Sequence, residues 1–313
     1  MRFPRILAHL ASLIASFYWI SASAGDANGT APLELVVLGS GGPGATGRAA
    51  SSYLLLLDGV PRILVDAGPG AFARLGETKL SLANTDIVLL THLHADHAGE
   101  LPGLFKGRAV SSGEPIIFRV WGPAGSDAKT AGAYFPSTSQ FLELLFGEHG
   151  AFAYLKDFAA PITIQAHDIP VTPSAAPHVI LKESGLVVKA VAGHHRDAPA
   201  VIYRIDYAGK SITFSGDIDA QGISHLRKIA AGSDLLVFNS VVLDPPGSPA
   251  ILYTLHSPPH VIGDVAKNCG VRAVLLSHLS PAVEGRREEV LRSIRQSYNG
   301  SVDFADDGMH VWP

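Results

Sequence analysis

Cysteine is almost absent from this chain. Cys269 stands alone among 313 residues, so no internal disulfide can staple the fold and a thiolate metal cage is excluded. Charge is sparse as well. Asp, Glu, Lys and Arg together make up 17% of the sequence, the formal net charge is -4, and two of the positive charges, Arg2 and Arg5, sit at the extreme N-terminus. A mildly acidic chain has no general attraction to a polyanion, which argues against a nucleic-acid-binding module. Long apolar runs are missing beyond the first two dozen residues, so no later segment reads as a membrane span.

What the chain has instead is histidine. Fourteen histidines against one cysteine point to imidazole and carboxylate chemistry. Hydrophobic residues at 47% suit a packed globule, and Gly 32 with Pro 21 suit many short strands and tight turns.

The N-terminus reads as an export signal over residues 1–24: Arg2 and Arg5 precede the mostly apolar Ile6–Ile20, and Ala22-Ser23-Ala24 closes it with small residues. The apolar run is short for a span and is interrupted by His9, Ser12 and Ser16, so no stable membrane anchor is expected. The mature protein then begins near Gly25, in the periplasm or secreted. Residues 25–32 form a flexible leader, and residues 33–313 form the folded domain.

Within that domain Leu33–Leu38 is a strand-length apolar run ending in Gly39-Ser40-Gly41-Gly42-Pro43. The glycines do not form a dinucleotide loop, because Arg48–Leu57 reads as a second strand where a helix would be needed. Asp58-Gly59 turns the chain into Pro61–Asp66, and Asp86–Leu90 is a buried strand. Residues 126–184 hold Tyr134, Phe135, Phe141, Phe146, Phe152 and Tyr154, with a helix over Ser139–Leu145; this segment is expected as an insertion covering the site, with ordinary core as the alternative. Strands resume at Leu186–Val191, Ala200–Tyr207 and Ser211–Phe214, then a helix over Ile223–Ala231, a strand at Leu235–Asn239, a helix at Pro259–Cys269 and a strand at Ala273–Ser277. Two strand-rich runs, each followed by helix-strand units, imply an α/β fold of two face-packed sheets with helices outside, a four-layer αββα sandwich.

The chemistry gathers where Asp86–Leu90 ends. His92 and His94 are two apart at a strand end and project to one side, and Asp96 and His97 follow where the chain turns. Four ligands of the kinds divalent metals prefer, within six residues, make a metal site the natural reading. The second half offers His195, Asp217 and His278, each after an apolar strand.

THLHADH, SGD and LSHLSP resemble the metal motifs of the metallo-β-lactamase superfamily, most closely its ribonuclease Z, arylsulfatase and cyclic-nucleotide phosphodiesterase branch. LGSGGP, RAASSYLLLLDG and VDAGPG are similar to that branch too, and His195–Arg204 resembles its third motif, which favours His195 over His194 as a ligand. The resemblance implies two divalent ions, zinc first, with manganese or iron as alternatives. His92, His94 and His195 would hold one ion and Asp96, His97 and His278 the other, with Asp217 bridging. In such sites the ions lie ~3.5–4 Å apart and share a hydroxide that attacks the substrate. Asp96 and His256 are the catalytic candidates; His256 stands 22 residues before His278 and would donate to the leaving group, although His-Ser-Pro-Pro replaces the family's usual His-Glu-Ala-Thr. His260 is the fallback. Asp66 would either orient a ligand histidine or cap a turn.

Three features oppose tRNA as the substrate: the export signal, the charge, and the 21 residues between His195 and Asp217, which leave room for a hairpin but not for the RNA-gripping arm that the resembled family inserts there. The expected substrate is a small phosphodiester or sulfate ester. Lactones or other carbonyl esters are alternatives, as is an iron-loaded oxidoreductase of the same fold. The sequence leaves a homodimer open.

Overall fold

The first strand, β1 (Leu33–Gly39), shows how the domain is layered. Leu33, Leu35 and Val37 pack into one core while Val36 and Leu38 pack into another, so both faces of the strand are buried. That is why the sequence shows an unbroken apolar run rather than a polar alternation. The same split recurs in β2 (Ser52–Leu57), β3 (Val60–Ala67) and β4 (Ile87–Leu89).

The structure is a computed structural model that describes residues 31–126, 134–172 and 176–313. The export-signal segment and most of the 25–32 leader lie outside the described residues. Among the described residues no helix is long and apolar enough to cross a membrane.

Two seven-stranded sheets face each other. The first adds β5 (Ile116–Pro123), β6 (Ile162–Ile169) and β14 (His310–Val311), in the order β14-β1-β2-β3-β4-β5-β6. The second comprises β7 (His178–Glu183), β8 (Leu186–Ala192), β9 (Val201–Tyr207), β10 (Lys210–Phe214), β11 (Leu235–Asn239), β12 (Ala273–Ser277) and β13 (Ser301–Phe304), in the order β13-β12-β11-β10-β9-β8-β7. One core lies between the sheets, joining Leu55 and Val65 to Val188, Tyr203 and Val237. A second joins the first sheet to α1 (Ala71–Thr78), α3 (Leu101–Ser111) and α4 (Thr138–Phe146); α2 (Ala95–Ala98) is a single turn at the end of the sheet. A third joins the second sheet to α5 (Ile223–Ala230), α6 (Pro259–Asn268) and α8 (Arg287–Ile294), with α7 (Pro281–Glu284) between the last two. The expected four-layer αββα sandwich is what forms.

Segment 126–184 divides its roles. β6 and β7 extend the two sheets at their edges, and Leu142 and Phe146 of α4 enter the outer core, so much of this segment is framework rather than a cover over the site. Ser137 opens α4 with a capping box, accepting from the Gln140 N–H while the Gln140 side chain accepts from its own.

In both sheets the central strands run parallel: β3 to β6 in one, β10 to β13 in the other. Their C-terminal ends therefore lie at one end of each sheet, the place where α/β folds assemble ligands.

Candidate metal centre

The penultimate residue of β3 is Asp66, buried and in the left-handed region at φ 55°. Its Oδ1 accepts the Thr91 backbone N–H at 2.7 Å, and its Oδ2 accepts the Thr91 hydroxyl at 2.8 Å. The same Oδ2 lies 2.7 Å from His97 Nδ1. Asp66 thus fixes the ring of His97 so that Nε2 faces inward, the first of its two alternative readings, and it also ties down the turn after β4.

Asp217 is the centre of the cluster. It is buried, one residue past Gly216, whose φ of 57° and close approach to Thr91 leave no room for a side chain. Around Asp217 Oδ2 stand His195 Nε2 and His278 Nε2 at 3.6 Å, His97 Nε2 at 3.8 Å and His256 Nδ1 at 3.9 Å. These distances are too long for hydrogen bonds and suit groups that share a cation between them. Asp217 Oδ1 accepts from Asn239 Nδ2 at 2.6 Å, which orients the carboxylate. Asn239 was not singled out in the sequence; its only signal is a polar side chain closing the apolar strand β11.

The remaining residues meet in two triads. Ligand atoms of His92, His94 and His195 lie within 4.8 Å of one another, and so do those of Asp96, His97 and His278. His195 Nδ1 donates to the Leu255 carbonyl at 2.8 Å, which turns its Nε2 toward Asp217. His194 points elsewhere, its Nδ1 2.8 Å from Asp219. His278, at φ 54°, sets its Nε2 3.2 Å from Asp96 Oδ2. Gly42 lies against the His278 ring, where a Cβ would meet Cε1 at 2.6 Å, while Gly39 and Gly41 make room for the neighbouring segment Arg48–Ala50. His256 joins His195 and Asp217 in a further group of three, whereas His260 pairs with Asp244 at 2.6 Å at the surface.

The donors fit divalent cations. His92 Nε2, His97 Nε2 and His256 Nδ1 are buried with no hydrogen-bond partner, an arrangement that is costly unless a ligand supplies one. Burial pushes His92 well below the ordinary imidazole range, lowers His94, and brings His256 down to about 4. Burial opposes ionisation of Asp217, yet the imidazoles of His278 and His256 hold its carboxyl well below the usual range. Neutral imidazole and ionised carboxylate are the states that metal ligation requires. His97 is the exception. Burial lowers it, but the charges of Asp66 and Asp217 overcome this and raise it to about 9, so the position favours positive charge, which a divalent ion can supply in place of a proton.

Fold and site together define a metallo-β-lactamase-type sandwich with a two-triad His/Asp centre. The family described as "Beta-lactamase superfamily domain" matches residues 61–279, and the chain belongs to it. Ribonuclease Z of Mycobacterium avium (strain 104) is 26% identical over 285 residues, covering 88% of this chain and 96% of its own length. Among solved structures, a metallo-beta-lactamase fold protein from Bacillus subtilis is similar with a TM-score of 0.67 at 20% identity, covering 90% of this chain and 99% of that one. The short form of human tRNase Z has a TM-score of 0.64 at 23% identity over the same shares. The chain is a metal-dependent hydrolase of this superfamily.

Proposed function

We propose that the protein hydrolyses small phosphodiesters at a centre of two divalent ions, zinc by its donor set. His92, His94 and His195 would hold one ion, and Asp96, His97 and His278 the other, with Asp217 shared. The observation that carries this reading is the single buried carboxylate of Asp217 ringed by four imidazole nitrogens at 3.6–3.9 Å, with a complete triad on either side. Bound there, the ions would acidify water as the nucleophile and neutralise charge on the ester oxygens.

The chain's own groups do the rest. Asp66 and the Leu255 carbonyl fix the protons of His97 and His195 on Nδ1, so both present the nitrogen that can ligate. Asp96 Oδ2, 3.2 Å from His278 Nε2, stands at the less buried rim and is placed to hold a proton of the attacking water. His256, kept neutral by burial, is placed to hydrogen-bond the departing oxygen. Similarity to ribonuclease Z supports a phosphodiester. A small one is favoured over tRNA because a plain β9–β10 hairpin, turning at Ala208-Gly209, is all that separates His195 from Asp217. Export to the periplasm or medium fits the same choice.

The test is turnover of bis-p-nitrophenyl phosphate, p-nitrophenyl sulfate and a chromogenic lactone, with metal counted per chain, beside His94→Ala. Cleavage of the phosphodiester with about two zinc ions bound, lost in the variant, is the expected result. Faster cleavage of the sulfate or the lactone would move the substrate class. A coloured, iron-loaded chain with no esterase activity would overturn the reading.

A further inference from the structure

A cleft of about 480 Å³ opens beside the metal centre, a size that takes a small-molecule arm. Its walls are next-door neighbours of the cage. His194 and Arg196 flank His195, Asp219 follows Asp217 by two residues, and Thr254 precedes His256 by two. Ser126, on the opposite wall, is bridged through its backbone to Phe135, whose ring lies 6.3 Å from that of His94.

His194 has no task in the cage, yet it is held firmly. Its Nδ1 lies 2.8 Å from Oδ2 of the buried Asp219, and its carbonyl accepts the Asp219 N–H at 2.9 Å. Asp219 is fully engaged: it also accepts the Gln221 N–H at 2.8 Å and the Arg196 N–H at 3.4 Å. A carboxylate on Nδ1 places the ring proton there and leaves the Nε2 edge for a ligand. Arg196 is set in the left-handed region at φ 54°, a conformation that disfavours a side chain and that the bond from its N–H to Asp219 helps to hold. Its guanidinium is half exposed. Among the described residues its one ion-pair partner is Asp197 on the same rim, 3.9 Å away, a long and solvent-screened pairing. A positioned imidazole and a loosely paired cation therefore face one cleft.

We propose that this cleft is the subsite for the flanking arm of the ester. Arg196 pairs with an anionic group on that arm, and His194, aligned by Asp219, hydrogen-bonds a hydroxyl or phosphoryl oxygen beside it. The preferred substrate is then a phosphodiester with a second anionic group a few bonds from the scissile ester, of the phosphorylated-sugar kind. This rests on the phosphodiesterase reading above and narrows it.

Two chromogenic esters test it: thymidine 5′-(p-nitrophenyl phosphate) with and without a 3′-phosphate. The 3′-phosphate is expected to lower KM about two- to fivefold, the worth of one partly exposed charge pair. In Arg196→Ala the two compounds should share one KM, and in Arg196→Lys part of the preference should return. His194→Ala should shrink the ratio while metal content stays at the wild-type value. Calorimetric binding of thymidine 3′,5′-bisphosphate against thymidine 5′-phosphate supplies a readout independent of turnover and should show the same loss. Equal KM for both esters in the wild type, or a preference that survives Arg196→Ala, overturns the subsite while leaving the phosphodiesterase standing. Turnover of neither ester by a chain holding two metals sinks both.

Discussion

The two ends of the sandwich hold the same kinds of polar group in opposite conditions. At the far end Arg62, Asp86, Arg119 and Glu183 tie β3, β4, β5 and β7 together. Arg119 donates to both oxygens of Glu183, at 2.6 and 2.9 Å, and also reaches Asp86, while Arg62 donates to Asp86 at 3.1 Å. Each of these four has an opposite charge beside it, although the buried Arg108 Nε and Thr85 Oγ1 nearby find no hydrogen-bond partner. At the metal end six histidines crowd two aspartates, and buried nitrogens of His92, His97 and His256 meet nothing. Charged groups that satisfy one another make framework; several unpartnered ring nitrogens clustered around one buried carboxylate mark a site built for something that arrives later.

The comparison is sharpest at Asp217. Asp217→Asn keeps the shape but removes the charge that four imidazoles share, so turnover should fall by about 10²–10³-fold or more, with bound metal dropping below two per chain. Plasma emission counts and the ester assay check both. Full activity with two metals in this variant would remove Asp217 from the centre. Next in size is Asp66→Ala, which frees the His97 ring without touching a ligand atom. Metal affinity or activity should weaken about 10–100-fold, read by chelator competition. Loss of the Thr91 bonds should lower Tm as well, because Thr91 then has a buried hydroxyl and N–H to satisfy.

How much of this was legible in the sequence follows from where partners sit along the chain. THLHADH packs four metal-capable groups into one strand end, so one local motif shows half the centre. His195, Asp217 and His278 are scattered over three strand ends; their shared position after apolar strands suggested a set, and resemblance to a family gave each its place in it. Most strands were read to within a residue because burial on both faces leaves unbroken apolar runs such as Leu33–Leu38. The start of β2 was placed four residues early, at Arg48, and β5, β6, β7, β13 and β14 were not read; in the edge strand β6, for example, Ile162 and Ile164 alternate with polar neighbours and the run disappears. Asn239 stayed hidden because one amide at a strand end has many ordinary explanations. Asp307 was out of reach altogether. It accepts from Ser40, Ala49 and Arg74, more than two hundred residues away, and so pins the glycine loop that backs His278.

The far end supplies the smaller tests. Arg119→Met should cost on the order of 1 kcal/mol or less per lost pair, because these groups are partly exposed and screened, and it should leave metal stoichiometry unchanged. The pH dependence of that cost gives the finest discrimination. Hydrogen bonds from Arg119 hold the Glu183 carboxyl below its ordinary range. A carboxyl whose value is lower folded than unfolded adds stability that is fully present above the unfolded value, about 4.3, and is lost as pH falls through the folded one. Glu183→Gln should therefore unfold at lower denaturant than wild type at pH 7, and the gap should close below about pH 4. Metal-free protein is the right material, since acid-driven release of any bound metal would otherwise add its own change in stability over the same range. A gap that stays constant with pH would mean that Glu183 acts by packing rather than charge, and the contrast between a satisfied end and an unsatisfied one would then rest on the metal centre alone.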